Sequence, residues 1–522
     1  MSANGEFERE PVPQSALLGF KSFPGMYAGE HCAGTELMLG PLFVAAGVSA
    51  RDLIVGLLLG NALAVLSWML LCAPIAVRAR LTLYYQLEKI CGRKLVTVYN
   101  IANGVMFCFL AGSMITVSAT AVGVMFPDIS MPTLESVRPE TFGWVAVVLV
   151  LGVLISVVAA YGYDAVSRFA NIASPWMVLV FLAFGLIGLR QFLNETGTEV
   201  HSAGDLWHML STEVWTGGEP LPGSTKFHLA HVIFFAWFCN MAMHIGMSDL
   251  SVFRFAKHSW YGVATASGMY VGHFMAWAAA AMLFALQLHQ TRADEHLQQL
   301  LVEHGKGVYA AEDLADAPLT ADMVRAGMEI ENRLVEQGVM KEADKKVKAP
   351  TPLPGQLAFK ACGIAGLICV IIAGWTTANP TIYRAGLAFQ AIVPRVSRYK
   401  VTIATGLLAT VAGMFPAIAM QLLSFVALYG LILMPMGAVV FADFWLLRKL
   451  GLSPYYAERV RISVNWPAGV AWVATVAICV GLVMTGNPLF QIYFVSLPGW
   501  FIATAIYIGL SKVMQRPVAA AP

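Results

Sequence analysis

Charge is what this chain has least of. Of its 522 residues, 12% are Asp, Glu, Lys or Arg and 58% are hydrophobic, where a soluble protein carries about a quarter charged residues. That shortage excludes an ordinary soluble fold. The net charge of +2 offers no basic face, so no nucleic-acid partner is expected. The eight cysteines (Cys32, Cys72, Cys91, Cys108, Cys239, Cys362, Cys369 and Cys479) form no CxxC pair. Nearly all lie in apolar runs and read as small core hydrophobes. HExxH, a close His/Cys/Asp set and the Walker A pattern are all missing from the sequence, so neither an enzyme nor an ATP-driven pump is expected, and no cofactor. The opening "MSANGEFEREPVPQ" is polar and acidic and lacks the charged and apolar regions of a cleavable signal.

Long apolar runs are what the chain has in quantity. Roughly 20 apolar residues cross a bilayer as a helix. Twelve such spans are read, at about 27–48, 52–77, 96–126, 142–161, 169–190, 228–251, 259–287, 357–385, 400–417, 419–446, 466–485 and 488–511. The fold class is an all-α polytopic protein of the cell membrane. Lysine and arginine set its orientation. Arg78, Arg80, Lys89, Arg93 and Lys94 follow span 2, Arg254 and Lys257 follow span 6, and Arg395, Arg398 and Lys400 follow span 8. Arg448, Lys449, Arg459 and Arg461 follow span 10, and Lys512 and Arg516 lie in the tail. With twelve spans all of these fall on one side, which makes both termini cytoplasmic.

The expected organisation follows. Residues 1–26 are a cytoplasmic segment, and 27–192 are a first five-helix unit. An outer loop at 193–227 leads to a second five-helix unit at 228–446. Residues 447–511 are two accessory helices, and 512–522 are a cytoplasmic tail. A large outer loop at 288–356 interrupts the second unit. Its "ADMVRAGMEIENRLVEQ" stretch spaces Met323, Met328, Ile330 and Leu334 as one helix face and reads as a solvated helical cap.

Interrupted helices at mid-membrane free carbonyls and helix ends to hold ions and substrate. Span 1 carries Gly29, Gly34, Gly40 and Pro41, with its break expected to free carbonyls at Gly40–Pro41, and span 6 carries Asn240, His244 and Gly246. They open the two five-span halves, which fits an inverted repeat. Ionisable residues at depth are functional candidates. In span 1 these are Glu30, His31 and Glu36. In or near span 6 they are His231, His244 and Asp249, and Asp443 closes span 10. Asp249 and Asp443, close to Arg254 and Arg448, read as ion-paired or solvated helix ends. Glu36, beside the span 1 break, must take a partner or a proton, because a buried charge is costly.

Span 8 contains "GWTTANPTIYRAG", residues 374–386. Threonines in membrane helices commonly bond back to a carbonyl one turn earlier. Here Thr376 and Thr377 are adjacent, and Ala373 lies on the face of Thr376. Pro380 has no N–H and leaves the Thr376 carbonyl free. Asn379 is placed behind this group. Hydroxyls and freed carbonyls together suit a hard cation such as sodium. A helix merely shaped by its threonines is the alternative.

Four passages carry a family likeness: the span 1 proline followed by "AAG", "SDLSVFRFAK" after span 6, "AGWTTANP" in span 8, and "PMGAVVFADFWLLRK" closing span 10. Over most of residues 20–450 the chain resembles the nucleobase–cation symporter family, the purine/cytosine permeases. The resemblance implies a leucine-transporter-like fold, two inverted five-helix repeats plus two accessory helices. It implies sodium- or proton-driven symport of a nucleobase-like or related small nitrogenous heterocycle. It also implies a sodium site from the carbonyls of Leu37, Gly40 and Ala373 and the hydroxyls of Thr376 and Thr377. The family stacks its substrate between tryptophans of spans 3 and 6. Span 3 here has none, so Phe107 or Phe109 is expected to substitute. Trp237, Asn240, His244 and Glu36 complete the expected pocket. Trp237 stands further from Asp249 than in the family, and two extra residues separate Asp249 from Arg254. Glu36 replaces a usually neutral residue and favours the alternative of an amino-acid or cationic, vitamin-like substrate. The partners expected are a small molecule and the lipid bilayer.

Overall fold

The computed structural model describes residues 6–129, 132, 136–241, 246–305, 307–315, 317–352, 354–487 and 490–515. Among them, nine helices are long and apolar enough to cross a membrane. They are α3 (Ala50–Ala79), α4 (Arg93–Met125), α5 (Phe142–Ala160), α6 (Tyr163–Thr196), α9 (Ser259–Gln290), α12 (Pro354–Ile392), α14 (Ser424–Leu450), α15 (Trp466–Met484) and α16 (Ser496–Met514). The residues of the three other expected spans form shorter helices. Span 1 is a pair, α1 (Pro24–His31) and α2 (Glu36–Ala45). Span 6 is α7 (Leu229–Met241), with helix resuming at α8 (Leu250–Phe253). Span 9 is the shorter α13 (Arg398–Gly413).

The nine long helices carry apolar residues on their outer faces as well as their inner ones. Leu58, Leu59, Leu66 and Leu70 of α3 and Val150 and Leu154 of α5 are exposed. In a bilayer such faces meet lipid tails, so the helices associate through close packing instead. Small residues permit it. A Cβ on Gly374 of α12 would run into the hydroxyl of Ser118 and stand 2.7 Å from the Met114 carbonyl of α4. Ser118 in turn donates to the Ile371 carbonyl (3.1 Å).

The break in span 1 lies at Cys32–Thr35, between α1 and α2, and not at Gly40–Pro41 as expected. Pro41 sits inside α2, where it removes only the hydrogen bond to the Leu37 carbonyl. A Cβ on Gly40 would press on the Trp277 carbonyl and Ala280 of α9, so packing holds α2 helical through its proline. Gly34 fills the true break. Its neighbours are Val117 of α4 and the backbone of Val370 and Gly374 in α12. In span 6, Met247 adopts a left-handed backbone, φ 67°, just before α8. Residues 242–245 lie outside the described residues. The helix α12 kinks near its start, at Gly363 (φ 57°), then continues as helix through Thr376, Pro380 and Arg384.

The loop after α9 contains the expected helix, at Ala321–Glu336, and a second one that packs against it. Helices α10 (Glu295–His304) and α11 (Ala321–Glu336) pack through Leu297, Leu300, Leu301, Ile330 and Leu334. Buried Glu331 ties the cap together, joined to His296 (2.9 Å) and accepting from the Lys346 N–H (2.8 Å). At the opposite end the N-terminal strap crosses the helix ends. Glu6 accepts from the Tyr163 N–H (2.8 Å) and the Tyr383 hydroxyl (2.5 Å), and pairs with Arg254 (3.5 Å). Glu8 pairs with Arg398 (3.6 Å), and Leu18 pairs backbone to backbone with Ala256.

Candidate functional site

The break in span 1 and the middle of α12 meet through oxygen atoms. The Thr376 hydroxyl lies 2.9 Å from the Gly29 carbonyl and 3.0 Å from the Ala373 carbonyl. The Thr377 hydroxyl lies 3.1 Å from the same Ala373 carbonyl. Both threonines therefore make the back-bond of ordinary membrane helices, and Thr376 also reaches across to α1. Four oxygens on two elements converge here: Gly29 O, Ala373 O and the two hydroxyls. The span 1 carbonyl that Thr376 touches is Gly29's, three residues before the break. Leu37 and Gly40 lie in α2, on the other side of it. Leu37 packs in the same apolar cluster as Ala373, and Gly40 faces α9.

Two turns further along α12, Arg384 is fully buried between two acids. Its guanidinium bonds Glu30 of α1 (2.7 Å) and Asp249 at the head of α8. Tyr84 donates to the Arg384 carbonyl (2.9 Å), and Asn103 of α4 donates to the Tyr84 hydroxyl (3.2 Å). The expected pairing of Asp249 with Arg254 is thus corrected: Asp249 pairs with Arg384, and Arg254 with Glu6. Asp443 is not ion-paired to Arg448. It accepts from the Tyr455 N–H (3.1 Å) and the Tyr507 hydroxyl (3.1 Å). His231, half-buried, stacks on Phe227 (5.4 Å).

Glu36 begins α2 and is 2% exposed. Thr35 donates to one carboxyl oxygen (3.2 Å) and the Trp277 indole N–H to the other. Both donors are neutral, and no cation lies within 4 Å among the described residues. Trp277 stacks on His273 (4.3 Å), and His273 shares a hydrogen bond of 3.0 Å with His31 at the end of α1. His273 lies in Ser267–Phe274, a stretch of wide π-type turns, a distortion frequent at functional sites. A Cβ on Gly272 would stand 2.7 Å from the His31 carbonyl, so the close approach requires glycine.

The aromatic candidates disperse. Phe107 is fully buried against Tyr429 of α14 (4.9 Å), and Phe109 stacks on Phe425 (5.3 Å, 17°). Trp237 gives its N–H to Ser67 of α3 (3.2 Å). The side chain of Asn240 and the whole of His244 lie outside the described residues. Sequence reasoning missed the Glu30–Arg384–Asp249 set, although Arg384 stood in plain view as a charge within an apolar helix. It also missed Gly29. Asn379 is fully buried, and both its amide atoms lack a partner among the described residues, an arrangement costly without water or a ligand.

Comparison with known proteins speaks to family and fold. Residues 353–502 match the model of a family described as permeases for cytosine/purines, uracil, thiamine and allantoin. That stretch includes two of the four passages, "AGWTTANP" and "PMGAVVFADFWLLRK". No curated protein sequence matches the chain. Among solved structures, Mhp1, a nucleobase-cation-symport-1 family transporter in a closed conformation with bromovinylhydantoin bound, aligns over 97% of this chain and 95% of its own. The identity is 16% and the TM-score 0.57. The inward-facing conformation of Mhp1 aligns over 95% and 90%, at 17% identity and TM-score 0.52. A sodium-coupled sialic acid symporter in a substrate-bound outward-open state aligns over 99% and 94%, at 12% identity and TM-score 0.57. At these identities the likeness is one of fold. The resemblance to the nucleobase–cation symporters thus stands on the family model over residues 353–502 and on the shared fold over nearly the whole chain.

Proposed function

We propose that this protein is a secondary active transporter that carries a small nitrogenous heterocycle across the cell membrane in symport with sodium. The permease family match and the transporter fold support transport rather than enzyme chemistry. The observation that carries the coupling reading is the convergence of the Gly29 and Ala373 carbonyls with the Thr376 and Thr377 hydroxyls where the span 1 break meets α12. Neutral oxygens bind a hard cation weakly enough to release it each cycle. In this reading the chain has twelve spans, spans 1–5 and 6–10 related as inverted repeats, and both termini in the cytoplasm. Substrate sits between the two breaks, where Asn379 offers an unspent donor and acceptor. Phe107, Phe109, Trp237, Asn240 and His244 remain its proposed aromatic and polar walls. Purified protein in neutral-lipid discs is heated with and without sodium over a panel of cytosine, uracil, allantoin, thiamine and amino acids. A ligand that binds the native state raises its apparent stability. A sodium-dependent rise with one of the heterocycles supports the reading. A rise that ignores sodium removes the coupling part, and no rise with any heterocycle removes the substrate class.

A second reading, a cationic substrate, has its own observation. Three acids lie around the breaks: Glu30 and Asp249, both paired with Arg384, and Glu36, which is held by neutral donors. Sites built on this excess select a positive ligand or a proton. Thiamine as the stabilising ligand, with cytosine and uracil inert, would favour it.

A further inference from the structure

A cavity lies at the end of the molecule where both termini emerge, where α3 finishes beside the close of α14. It measures about 430 Å³ and is lined by Arg78, Phe444, Trp445, Arg448, Lys449 and Tyr455, with Asp443 at its floor. The three basic groups are brought together by local structure. Asp443–Leu447 winds in wide π-type turns, and a tight turn at Arg448–Leu450 follows. That turn puts Arg448 and Lys449 on the rim. Arg78 comes from the last turn of α3 and lies over the rings of Phe444 (5.7 Å) and Trp445 (5.9 Å), which hold its guanidinium in place. Trp445 is itself fixed by its N–H bond to the Leu71 carbonyl (2.9 Å).

Among the described residues, cations without a carboxylate within 4 Å occur elsewhere at this end too, Lys257 and Arg395 among them, but this cavity gathers three. At the same end, Arg9, Lys89, Arg254 and Arg398 each have a carboxylate within 4 Å. Arg78, Arg448 and Lys449 have none among the described residues. The single acid of the cavity, Asp443, is 1% exposed and already accepts from the Tyr455 N–H and the Tyr507 hydroxyl. A rule that merely places cations on one side of a membrane does not bring three of them, unpaired, around one aromatic-walled hollow.

We propose that this cavity binds a phosphate group, supplied by the headgroup of an anionic phospholipid in the adjoining leaflet. Guanidinium and ammonium groups bind phosphate by charge-assisted hydrogen bonds, and basic pockets between membrane helices recognise lipid headgroups. Exposed Leu450, at the end of the same turn, gives the acyl chains an apolar surface.

The test uses the full chain in nanodiscs of neutral phosphatidylcholine. Short-chain phosphatidylglycerol and, separately, inorganic phosphate are titrated in while Tm is followed. Wild type is compared with Arg78→Gln/Arg448→Gln/Lys449→Gln. A second triple variant, Lys21→Gln/Lys257→Gln/Arg395→Gln, removes equal charge from exposed positions outside the cavity. The expected result is a saturable rise in Tm with phosphatidylglycerol, roughly a hundredfold weaker in the cavity variant and unchanged in the control variant. An equal rise with inorganic phosphate, again lost only in the cavity variant, keeps the phosphate site and overturns the lipid as its source. No saturable rise in wild type, or equal loss in both triple variants, overturns the site.

Discussion

Arg384 shows what one residue contributes at membrane depth. It neutralises Glu30 and Asp249 on two different interrupted segments, so its removal leaves two buried carboxylates facing each other. Breaking a buried pair in this way costs about 3–5 kcal/mol. Arg384→Met is therefore expected to lower the Tm sharply, and the triple change Arg384→Met/Glu30→Gln/Asp249→Asn should recover much of the loss. A single variant as stable as wild type would show that the acids carry protons and need no counter-charge. Thr376 and Thr377 make a finer test. Losing one hydroxyl from a charged partner costs about 1.5–3 kcal/mol, so alanine at either position should weaken sodium activation of uptake by roughly tenfold to a hundredfold. Thr376→Ser should stay near wild type. Alanine variants that keep the wild-type sodium response would reduce both hydroxyls to the back-bonds they also make. Glu36 has only neutral donors, so Glu36→Gln should preserve the Trp277 bond and remove the variation of uptake between acid and neutral pH. A pH profile that the substitution leaves intact would assign Glu36 to scaffolding.

At the level of elements, glycine decides how closely helices approach. Gly374 lets α12 touch α4, and its Cβ would collide with Ser118. Overpacking of this kind costs about 1–3 kcal/mol, so Gly374→Ala should lower the Tm and, by displacing Thr376 two residues away, weaken sodium activation as well. A normal sodium response with a reduced Tm would separate packing from ion binding. Element by element, the legible part of the sequence was what depends on local pattern. The long apolar runs marked the nine long helices, and the spacing of Ile330 and Leu334 marked the helix α11. The interruption of span 1 was visible as a region, but its position was not. Pro41 looked like the breaker, yet α2 keeps its helix because packing against α9 outweighs one lost hydrogen bond. The actual break falls where Gly34 meets α12, a tertiary fact absent from local composition. Arg384 was overlooked for a similar reason. Its partners lie far away in sequence, and only the fold brings Glu30 and Asp249 to it. Phe107 and Phe109 were chosen by type, and type does not show which rings they meet, Tyr429 and Phe425.

For the whole molecule, the distribution of lysine and arginine makes a claim that an intact cell can check. The cap containing α10 and α11 is expected on the outer surface. A cysteine placed at Ala321, the first residue of α11, should react with a membrane-impermeant thiol reagent added to whole cells. Reaction only after lysis would invert the orientation and move the strap at residues 6–22 to the outside.

The strap also bears on the order in which the chain is assembled. Glu6 and Glu8 leave the ribosome before any of their partners, and Tyr163, Arg254, Tyr383 and Arg398 emerge one after another over the following several hundred residues. Until α12 has entered the bilayer, the newborn strap has no complete place to settle, and closing so long a loop is a late, slow event. Biogenesis thus passes through an inserted chain in which the strap, on the N-terminal side of the helices, is still a loose end. A protease confined to the synthesis side should cut that end in chains halted after α9 and spare it in finished ones.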